Sequence, residues 1–318
     1  MIAPPLAEDV ARFRADLEAL AAPARLGIAV SGGPDSLALL LLAHAAFPGR
    51  VEAATVDHGL RPESAAEAAF VADIARNIGV PHATLRAEWP NGAPRTGIQE
   101  AAREARYAAL ADWCADRKLG GLLTAHHADD QAETLLMRLG RGAGLPGLAG
   151  IRPDQPLGSC RLLRPLLGWR RDMLRQICDQ AGLVPLDDPS NADPRHERSR
   201  IRALLGATGS LDPGKVALSA AHLLDVEEAI GWLVEEAIRT RVQIAPDAVS
   251  FDAAGLPREI RRRVLARLIE QAGGEARGSA IARAVEQLDS GRPATLAGLR
   301  LRPGERWTVT PAPPRRAN

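Results

Sequence analysis

The hexapeptide Ser31-Gly32-Gly33-Pro34-Asp35-Ser36 lies between two apolar runs, Leu26–Val30 and Leu37–Leu42. A short β-like run, a Gly-rich bend and a helix-like run make a strand–turn–helix unit. Such a bend aims backbone N–H groups and a helix N-terminus at whatever sits above it, which suits phosphate. Gly32 and Gly33 let the backbone approach a ligand closely, and Ser31 and Ser36 offer hydroxyl donors. Asp35 is a poor phosphate contact but a good magnesium ligand, so the bend reads as a site for phosphate plus Mg2+. It is not a Walker loop, because no Gly-Lys-Ser/Thr occurs and the chain holds only Lys118 and Lys215. It is not a GxGxxG fingerprint either. The alternative is an ordinary glycine turn capped by Asp35 and Ser36.

A second cluster is His126-His127-Ala128-Asp129-Asp130-Gln131-Ala132-Glu133. Asp130 and Glu133 are three apart and share a helix face, which suits a cationic amine. The histidines sit just before the helix start, within reach of a bound phosphate. The bland reading makes Asp129 an N-cap and lets the other acids complement the helix dipole. Asp57-His58-Gly59 closes an alternating apolar run and reads either as the lining of a nucleotide pocket or as a simple turn. Arg103 and Arg106 are spaced to share a helix face, and a basic run, Arg195–Arg202, follows the turn-forming residues 187–191.

These groups need a scaffold. Residues 6–21 read as an amphipathic helix, followed by strand Leu26–Val30 and the helix after the bend. Strands at Val51–Asp57, Val80–Arg86 and Leu122–Ala125 alternate with helices at Glu63–Ile78, Ile98–Arg117 and Ala128–Arg141. That order predicts an α/β fold, a parallel sheet with helices on both faces. Ligands in such sheets bind beyond the carboxyl ends of the strands, where Ser31–Ser36, Asp57-His58 and His126–Asp130 all fall. Gly140–Gly158 reads as a loop, residues 170–181 as a helix and Gly206–Gly214 as a linker. Helices at 215–240, 257–272 and 278–289 and a closing hairpin, Thr295–Arg302 with Arg306–Thr310, predict a smaller, mainly helical second domain. The expected division is 1–213 and 214–318.

Formal net charge is +1 over 318 residues, so the overall balance says nothing about a nucleic-acid partner. Its distribution says more, since Leu256–Asn318 holds 13 Arg against 6 Asp/Glu. Arginine suits bidentate contact with phosphate, although a merely solvated basic face fits as well. Cys114, Cys160 and Cys178 are widely spaced, which fits a reducing compartment and argues against a zinc site or redox pair. The N-terminus is no signal peptide, and Leu37–Phe47 is too short to span a bilayer. A cytoplasmic protein with no membrane partner is expected.

Ser31–Ser36 resembles the SGGxDS loop of the PP-loop ATP pyrophosphatases. Val56-Asp57-His58-Gly59-Leu60-Arg61, Ala102-Arg103 with Arg106-Tyr107, the run His126–Arg141, Arg164-Pro165-Leu166 and Asp188-Pro189-Ser190-Asn191 follow in family order. Together they are similar to the bacterial tRNA(Ile)-lysidine synthetases, in the short form lacking an additional C-terminal module. The resemblance spans roughly residues 25–205 and continues more weakly through Thr295–Arg302 and Trp307. One departure is Ser199, where the family pattern RNxIR carries asparagine.

The resemblance implies an ATP-dependent ligase that joins free L-lysine to carbon 2 of the wobble cytidine of tRNA(Ile) with a CAU anticodon. It implies ATP and Mg2+ as cofactors, and a homodimer is compatible with it. AMP attached to the carbonyl oxygen turns a poor leaving group into a good one. Holding the amine against carbon 2 is then the main catalytic contribution, and stabilising phosphate charge the second. On that reading Ser31, Gly32, Gly33, Pro34, Asp35, Ser36, Asp57 and His58 bind ATP, with Asp35 on the metal. Asp130 and Glu133 take the lysine amine, and His127 contacts the α-phosphate or the adenylated base. Arg103, Arg106, Arg198, Arg200 and Arg202 neutralise tRNA phosphate, and the C-terminal arginine excess grips the tRNA backbone without reading bases. Competing readings are a tRNA-thiolating enzyme of the same group, an amidotransferase-type ligase and a non-catalytic nucleotide-binding module. Thiolation is disfavoured by the absence of paired cysteines.

Overall fold

A computed structural model describes residues 2–59, 64–89, 97–186, 197–207 and 211–312. They gather into two compact units, 1–224 and 225–318, with the division inside one long helix.

The first unit is built on strands β1 (Leu26–Ala29), β2 (Val51–Asp57), β3 (His82–Arg86), β4 (Gly121–Leu123), β5 (Asp154–Leu157) and β6 (Cys160–Leu163). They form one sheet in the order β3-β2-β1-β4-β6-β5, parallel except for β5 at one edge. β1 is central and pairs with β2 and β4. Its alternation decides which layer lies on which face. Leu26 and Ile28 are fully buried and point into a core shared with α1 (Ala7–Ala19), α2 (Pro34–Ala46), α3 (Ser64–Asn77) and α7 (Arg171–Gln180). α2 is apolar on nearly every side because it is enclosed by α1, α7 and the sheet.

The other sheet face is covered by α4 (Ile98–Arg117) through Leu110, Trp113 and Cys114. Gly27 lies directly under Trp113, and a Cβ there would sit 2.6 Å from the indole. The indole thus occupies the space that a side chain on β1 would need.

The expected strands and helices of residues 6–141 appear at nearly the expected bounds. The reading of Gly140–Gly158 as a loop needs correction. After α5 (Ala128–Gly140) comes a single helical turn, α6 (Leu145–Leu148), and then β5 pairs with β6 around Gly158. β5 is four residues long and carries Asp154 and Pro156, which an edge strand tolerates but which leave no alternating apolar signal.

After α8 (Glu197–Ala207), helix α9 (Pro213–Arg241) runs into the second unit. There the strands are β7 (Val242–Ala245), β8 (Ala248–Phe251), β9 (Ala294–Leu296), β10 (Leu299–Arg302) and β11 (Trp307–Pro311). They form an antiparallel sheet ordered β7-β8-β11-β10-β9, backed by α10 (Arg258–Gln271) and α11 (Gly278–Asp289). The expected hairpin is thus part of a larger sheet. Its first arm folds back at Ala297 and Gly298, both at positive φ, to make β9 and β10. The hairpin β7–β8, turning at Pro246-Asp247, follows α9 with no break in the pattern to announce it.

Among the described residues no helix is long and apolar enough to cross a membrane. Gly27→Ala is expected to destabilise the protein by about 1–3 kcal/mol through overpacking against Trp113. Thermal unfolding would show a lower midpoint, partly restored by adding Trp113→Leu, and an unchanged midpoint would refute the close packing.

Candidate active site

The Gly-rich bend is held by its own serines. The Ser31 amide donates to Ser36 Oγ at 3.1 Å, and Ser36 Oγ donates to the Gly33 carbonyl at 3.0 Å. Ser36 is buried, so its hydroxyl shapes the loop, while Ser31 is exposed as a residue and its Oγ lies 3.2 Å from Ser36 Oγ. Gly32 has φ of 87°, and a Cβ there would meet Leu186 at 2.6 Å. The Leu186 amide closes the turn by donating to the Gly32 carbonyl at 3.0 Å. Gly33 is the N-cap of α2, and among the described residues a Cβ there would find no side-chain or backbone atom nearer than 3.8 Å. Packing against the described residues does not require glycine at that position. A helix N-terminus with Pro34 at N1 suits an anionic ligand there.

Asp35, in the first turn of α2, faces the start of α5. Its Oδ2 lies 3.4 Å from Nε2 of His127, which in turn lies 3.5 Å from Oδ2 of Asp130. Nδ1 of His127 is 3.6 Å from Asp129, and the imidazole is only 1% exposed. Burial pushes the His127 pKa down, but the carboxylates of Asp35 and Asp130 outweigh it and the net shift is upward. Burial likewise penalises the charged form of Asp130, and His127, His126 and Arg198 reverse that, leaving its pKa lowered. The carboxylates around the imidazole thus favour its protonated form, and the imidazole favours the ionised form of Asp130.

His127, not Asp129, is the N-cap of α5, and its amide donates to Asp130 Oδ2 at 3.1 Å. Asp129 instead accepts from the Arg171 amide at 2.9 Å and from Arg170 Nε at 3.2 Å. It anchors α5 to the segment leading into α7.

Glu133, one turn further along α5, is 1% exposed and ringed by arginines. Arg202 Nε donates to it at 2.7 Å, Arg198 Nε pairs at 3.1 Å and Arg171 at 3.5 Å. Arg198 and Arg202 are four apart on α8 and share this face, whereas Arg200 lies exposed between them. Asp130 and Glu133 therefore sit on one helix, but in different surroundings. Asp130 looks toward Asp35, and Glu133 is the counter-ion of an arginine cluster. A buried carboxylate needs such partners.

The neighbouring histidine has the opposite environment. Burial, reinforced by Arg164, Arg103 and Arg106, holds His126 neutral with a pKa of about 3, against the pull of Asp130. Its Nδ1 lies 3.1 Å from Thr124 Oγ1. Arg103 and Arg106 flank the Tyr107 ring, at 5.0 and 5.4 Å from its centroid. Arg164, just beyond β6, is 3% exposed, donates to the Arg152 carbonyl at 2.6 Å, and leaves Nε without a partner among the described residues. Burial lowers the pKa of Arg106 and Arg164 alike. Arg170 and Arg171 are site neighbours that the sequence reading did not single out, whereas Tyr107 and Arg164 entered only as segments of the family resemblance, without a role. A lone arginine beyond an unannounced strand leaves no periodic signal.

Asp57 closes the turn it was suspected of making. Its Oδ1 accepts from the Gly59 amide at 2.8 Å and from Ser64 Oγ at 2.5 Å, and Ser64 foremost lowers its pKa. The His58 carbonyl accepts from Trp89 Nε1 at 2.9 Å. Leu60, Arg61 and the run Asp188-Pro189-Ser190-Asn191 lie outside the described residues.

Asp35 Oδ1 is buried with no hydrogen-bond partner among the described residues. A hard carboxylate oxygen beside a helix N-terminus fits Mg2+, which takes one or two carboxylates and completes its shell with phosphate oxygens and water. No group of three or more described His, Cys, Asp or Glu residues could hold a metal alone.

Comparison with known proteins agrees with this geometry. The PP-loop domain family matches residues 5–208. A tRNA(Ile)-lysidine synthase of Novosphingobium aromaticivorans is 47% identical over 313 residues, covering 96% of this chain and 95% of that one. A tRNA(Ile)-lysidine synthase of Zymomonas mobilis is 46% identical over 300 residues, covering 92% and 90%. Among solved structures, the U34-tRNA thiolase NcsA from Methanococcus maripaludis shares the fold, with a TM-score of 0.57 at 16% identity, over 69% of this chain and 78% of that one. A glycine bend at a helix N-terminus, a carboxylate-ringed histidine at the next helix start and near-full-length identity to these enzymes converge, and the chain belongs to the tRNA(Ile)-lysidine synthase family of PP-loop proteins.

Proposed function

We propose that the protein is an ATP-dependent ligase that joins free lysine to carbon 2 of the wobble cytidine of a tRNA(Ile) with a CAU anticodon, through an adenylated cytidine. The observation that carries this reading is the junction at His127, which sets Asp35 of the phosphate bend 3.4 Å from one end of an imidazole whose same nitrogen lies 3.5 Å from Asp130. A phosphate-and-metal site and a carboxylate suited to an amine are thereby placed side by side. Ligation through an adenylate needs both.

In the first half-reaction the cytidine carbonyl oxygen attacks the α-phosphorus of ATP and pyrophosphate departs. The amides of Gly32 and Gly33, the hydroxyl of Ser31 and the N-terminus of α2, begun by Pro34 with Ser36 locking the turn, receive the phosphates. Asp35 is assigned to Mg2+, which supplies Lewis-acid neutralisation of phosphate charge when bound. His127 is enclosed by carboxylates, so its role is to position Asp35 and Asp130 and to favour the ionised form of Asp130. Asp57 and His58 shape the loop at the end of β2 that borders the nucleotide.

In the second half-reaction the lysine amine attacks carbon 2 and AMP departs. Asp130 meets the amine and accepts its proton. Glu133 serves the same substrate indirectly, by fixing Arg198 and Arg202, which remain 44% and 34% exposed and keep N–H groups for an anion. Arg103, Arg106 and Arg164 surround neutral His126 with positive charge suited to the phosphates of the incoming anticodon nucleotides, and exposed Arg200 adds to the phosphate contacts of α8. Thiolation receives no support, because Cys114, Cys160 and Cys178 are all buried and burial raises each thiol pKa.

Pyrophosphate release that depends on a tRNA(Ile) transcript, and that continues beyond one turnover only when lysine is present, is the expected activity. Release without tRNA, or only with a sulfur donor, would refute the reading. Asp35→Ala is expected to abolish adenylate formation in single-turnover assays with labelled ATP, and normal pyrophosphate release would remove Asp35 from the metal. Glu133→Ala is expected to raise the KM for lysine about tenfold or more while moving the KM for ATP little, as for binding lost when Arg198 and Arg202 are no longer held in place. Equal rises in both would count against its service to lysine.

A further inference from the structure

Three successive carbonyls of the phosphate bend, those of Gly32, Gly33 and Pro34, accept hydrogen bonds from the protein. The Gly33 carbonyl accepts locally, from Ser36 Oγ at 3.0 Å and from the Leu37 amide at 3.0 Å. The other two are held by a distant stretch of chain. Cys178, near the end of α7, donates from Sγ to the Pro34 carbonyl at 3.2 Å. The Leu186 amide donates to the Gly32 carbonyl at 3.0 Å. Cys178 is fully buried, and its own carbonyl accepts from the Leu183 amide at 3.0 Å. The segment after α7 turns at Gly182, with φ of 70°, and returns to the bend. Burial alone does not shape this segment, since Val184 in its middle is 83% exposed. Its two ends are pinned instead, one at Cys178 and the other at Gly32.

Those bonds orient the neighbouring amides. A trans peptide is planar, with its C=O and N–H on opposite edges, and no described peptide is cis. A Gly32 carbonyl directed at Leu186 therefore turns the Gly33 N–H away from Leu186. A Pro34 carbonyl directed at Cys178 turns the Asp35 N–H away from α7. Both amides lie at the start of α2, where an N–H has no intrahelical acceptor. Pro34, between them, supplies no N–H. The Leu186 side chain adds a steric support. A Cβ on Gly32 would sit 2.6 Å from Leu186 Cδ1 and 3.4 Å from Val71 Cγ2, so Gly32 packs closely against Leu186, which backs the bend on that side.

We propose that Cys178 and Leu186 are positioning residues of the phosphate site, which hold the Pro34 and Gly32 carbonyls so that the Asp35 and Gly33 amides face the polyphosphate of ATP. The proposal rests on the reading above that the bend takes those phosphates. Both residues act through the bend. An amide free to rotate must be ordered when phosphate binds, and that ordering subtracts from affinity. Amides fixed beforehand avoid the loss, and they stabilise charge on the phosphates without reorganising as it develops. Cys178 is set apart from the other thiols in this respect. It belongs to the core beneath α2, whereas Cys114 and Cys160 lie together in the core under α4.

The test titrates the full chain with Mg·ATP by calorimetry, without tRNA or lysine. Cys178→Ala removes the donor and is expected to weaken binding about fivefold, whereas Cys178→Ser keeps a donor and is expected to stay within about twofold of wild type. Leu186→Pro removes the amide hydrogen and is expected to weaken binding about fivefold or more, and Leu186→Ala, which keeps it, less. Cys114→Ala loses a buried thiol away from the bend and is expected to bind as wild type. Thermal melts of all variants check folding, and the Cys178 pair decides the matter if Leu186→Pro does not fold. In turnover, Cys178→Ala is expected to raise the KM for ATP by the same factor and to leave the KM for lysine unchanged. Wild-type affinity in Cys178→Ala would overturn the proposal. Equal losses in Cys178→Ala and Cys178→Ser, or in Cys178→Ala and Cys114→Ala, would also overturn it, since both would indicate packing alone. Wild-type affinity in Leu186→Pro would remove Leu186 from the role. Wild-type protein that binds no Mg·ATP would refute the phosphate bend itself. Binding that obeys these ties without any tRNA-dependent pyrophosphate release would sink the ligase reading and leave the positioning result standing.

Discussion

The buried imidazole of His127 is the constraint on which the active-site architecture depends. It lies between Asp35 on α2 and Asp130 on α5, with Asp129 on its other side. The carboxylates favour the protonated form of the imidazole, and that charge in turn lowers the pKa of Asp130 against its burial. The same residue caps α5 through its backbone, so the electrostatic junction and the helix start are one feature. Asp129 extends the junction to the segment before α7, and α7 packs against α2. The phosphate bend and the carboxylate helix are thereby held in register.

Around that junction, charge is segregated over short distances. Two consecutive histidines differ in charge because their neighbours differ: carboxylates surround His127, and buried arginines reinforce the desolvation of His126. One turn along α5, Glu133 gathers Arg171, Arg198 and Arg202. A site that must hold a polyphosphate, a polynucleotide and a cationic amine together requires such separation. Each ligand meets opposite charge while like charges are kept apart by neutral or paired groups. The parallel sheet makes this economical, since its carboxyl edge brings loops from distant parts of the chain to one place.

The second unit shows the same principle on a surface. The arginines of α10 and those of β10 are chemically identical, yet the former pair with acids of neighbouring helices and the latter are exposed with no ion pair to a described carboxylate. Counting arginine against acid along the chain registers an excess, and only the arrangement shows where it is free to act.

Local pattern alone determined much of this protein. The strand–bend–helix unit, the alternation that predicts a parallel sheet and the polar clusters at its carboxyl edge follow from hydrophobic period, glycine geometry and helix capping, which act over a few residues. The edge pair β5–β6 and the hairpin β7–β8 escaped because strands of four residues are stabilised by their partners rather than by their own pattern, and β5 also carries Asp154 and Pro156. The state of each charged group was decided by tertiary structure alone. Asp130 and Glu133 look alike as helix neighbours, but one faces a phosphate bend nearly a hundred residues away and the other faces α8. Ion pairing and desolvation act through space, and spacing along the chain records only which residues are near in sequence.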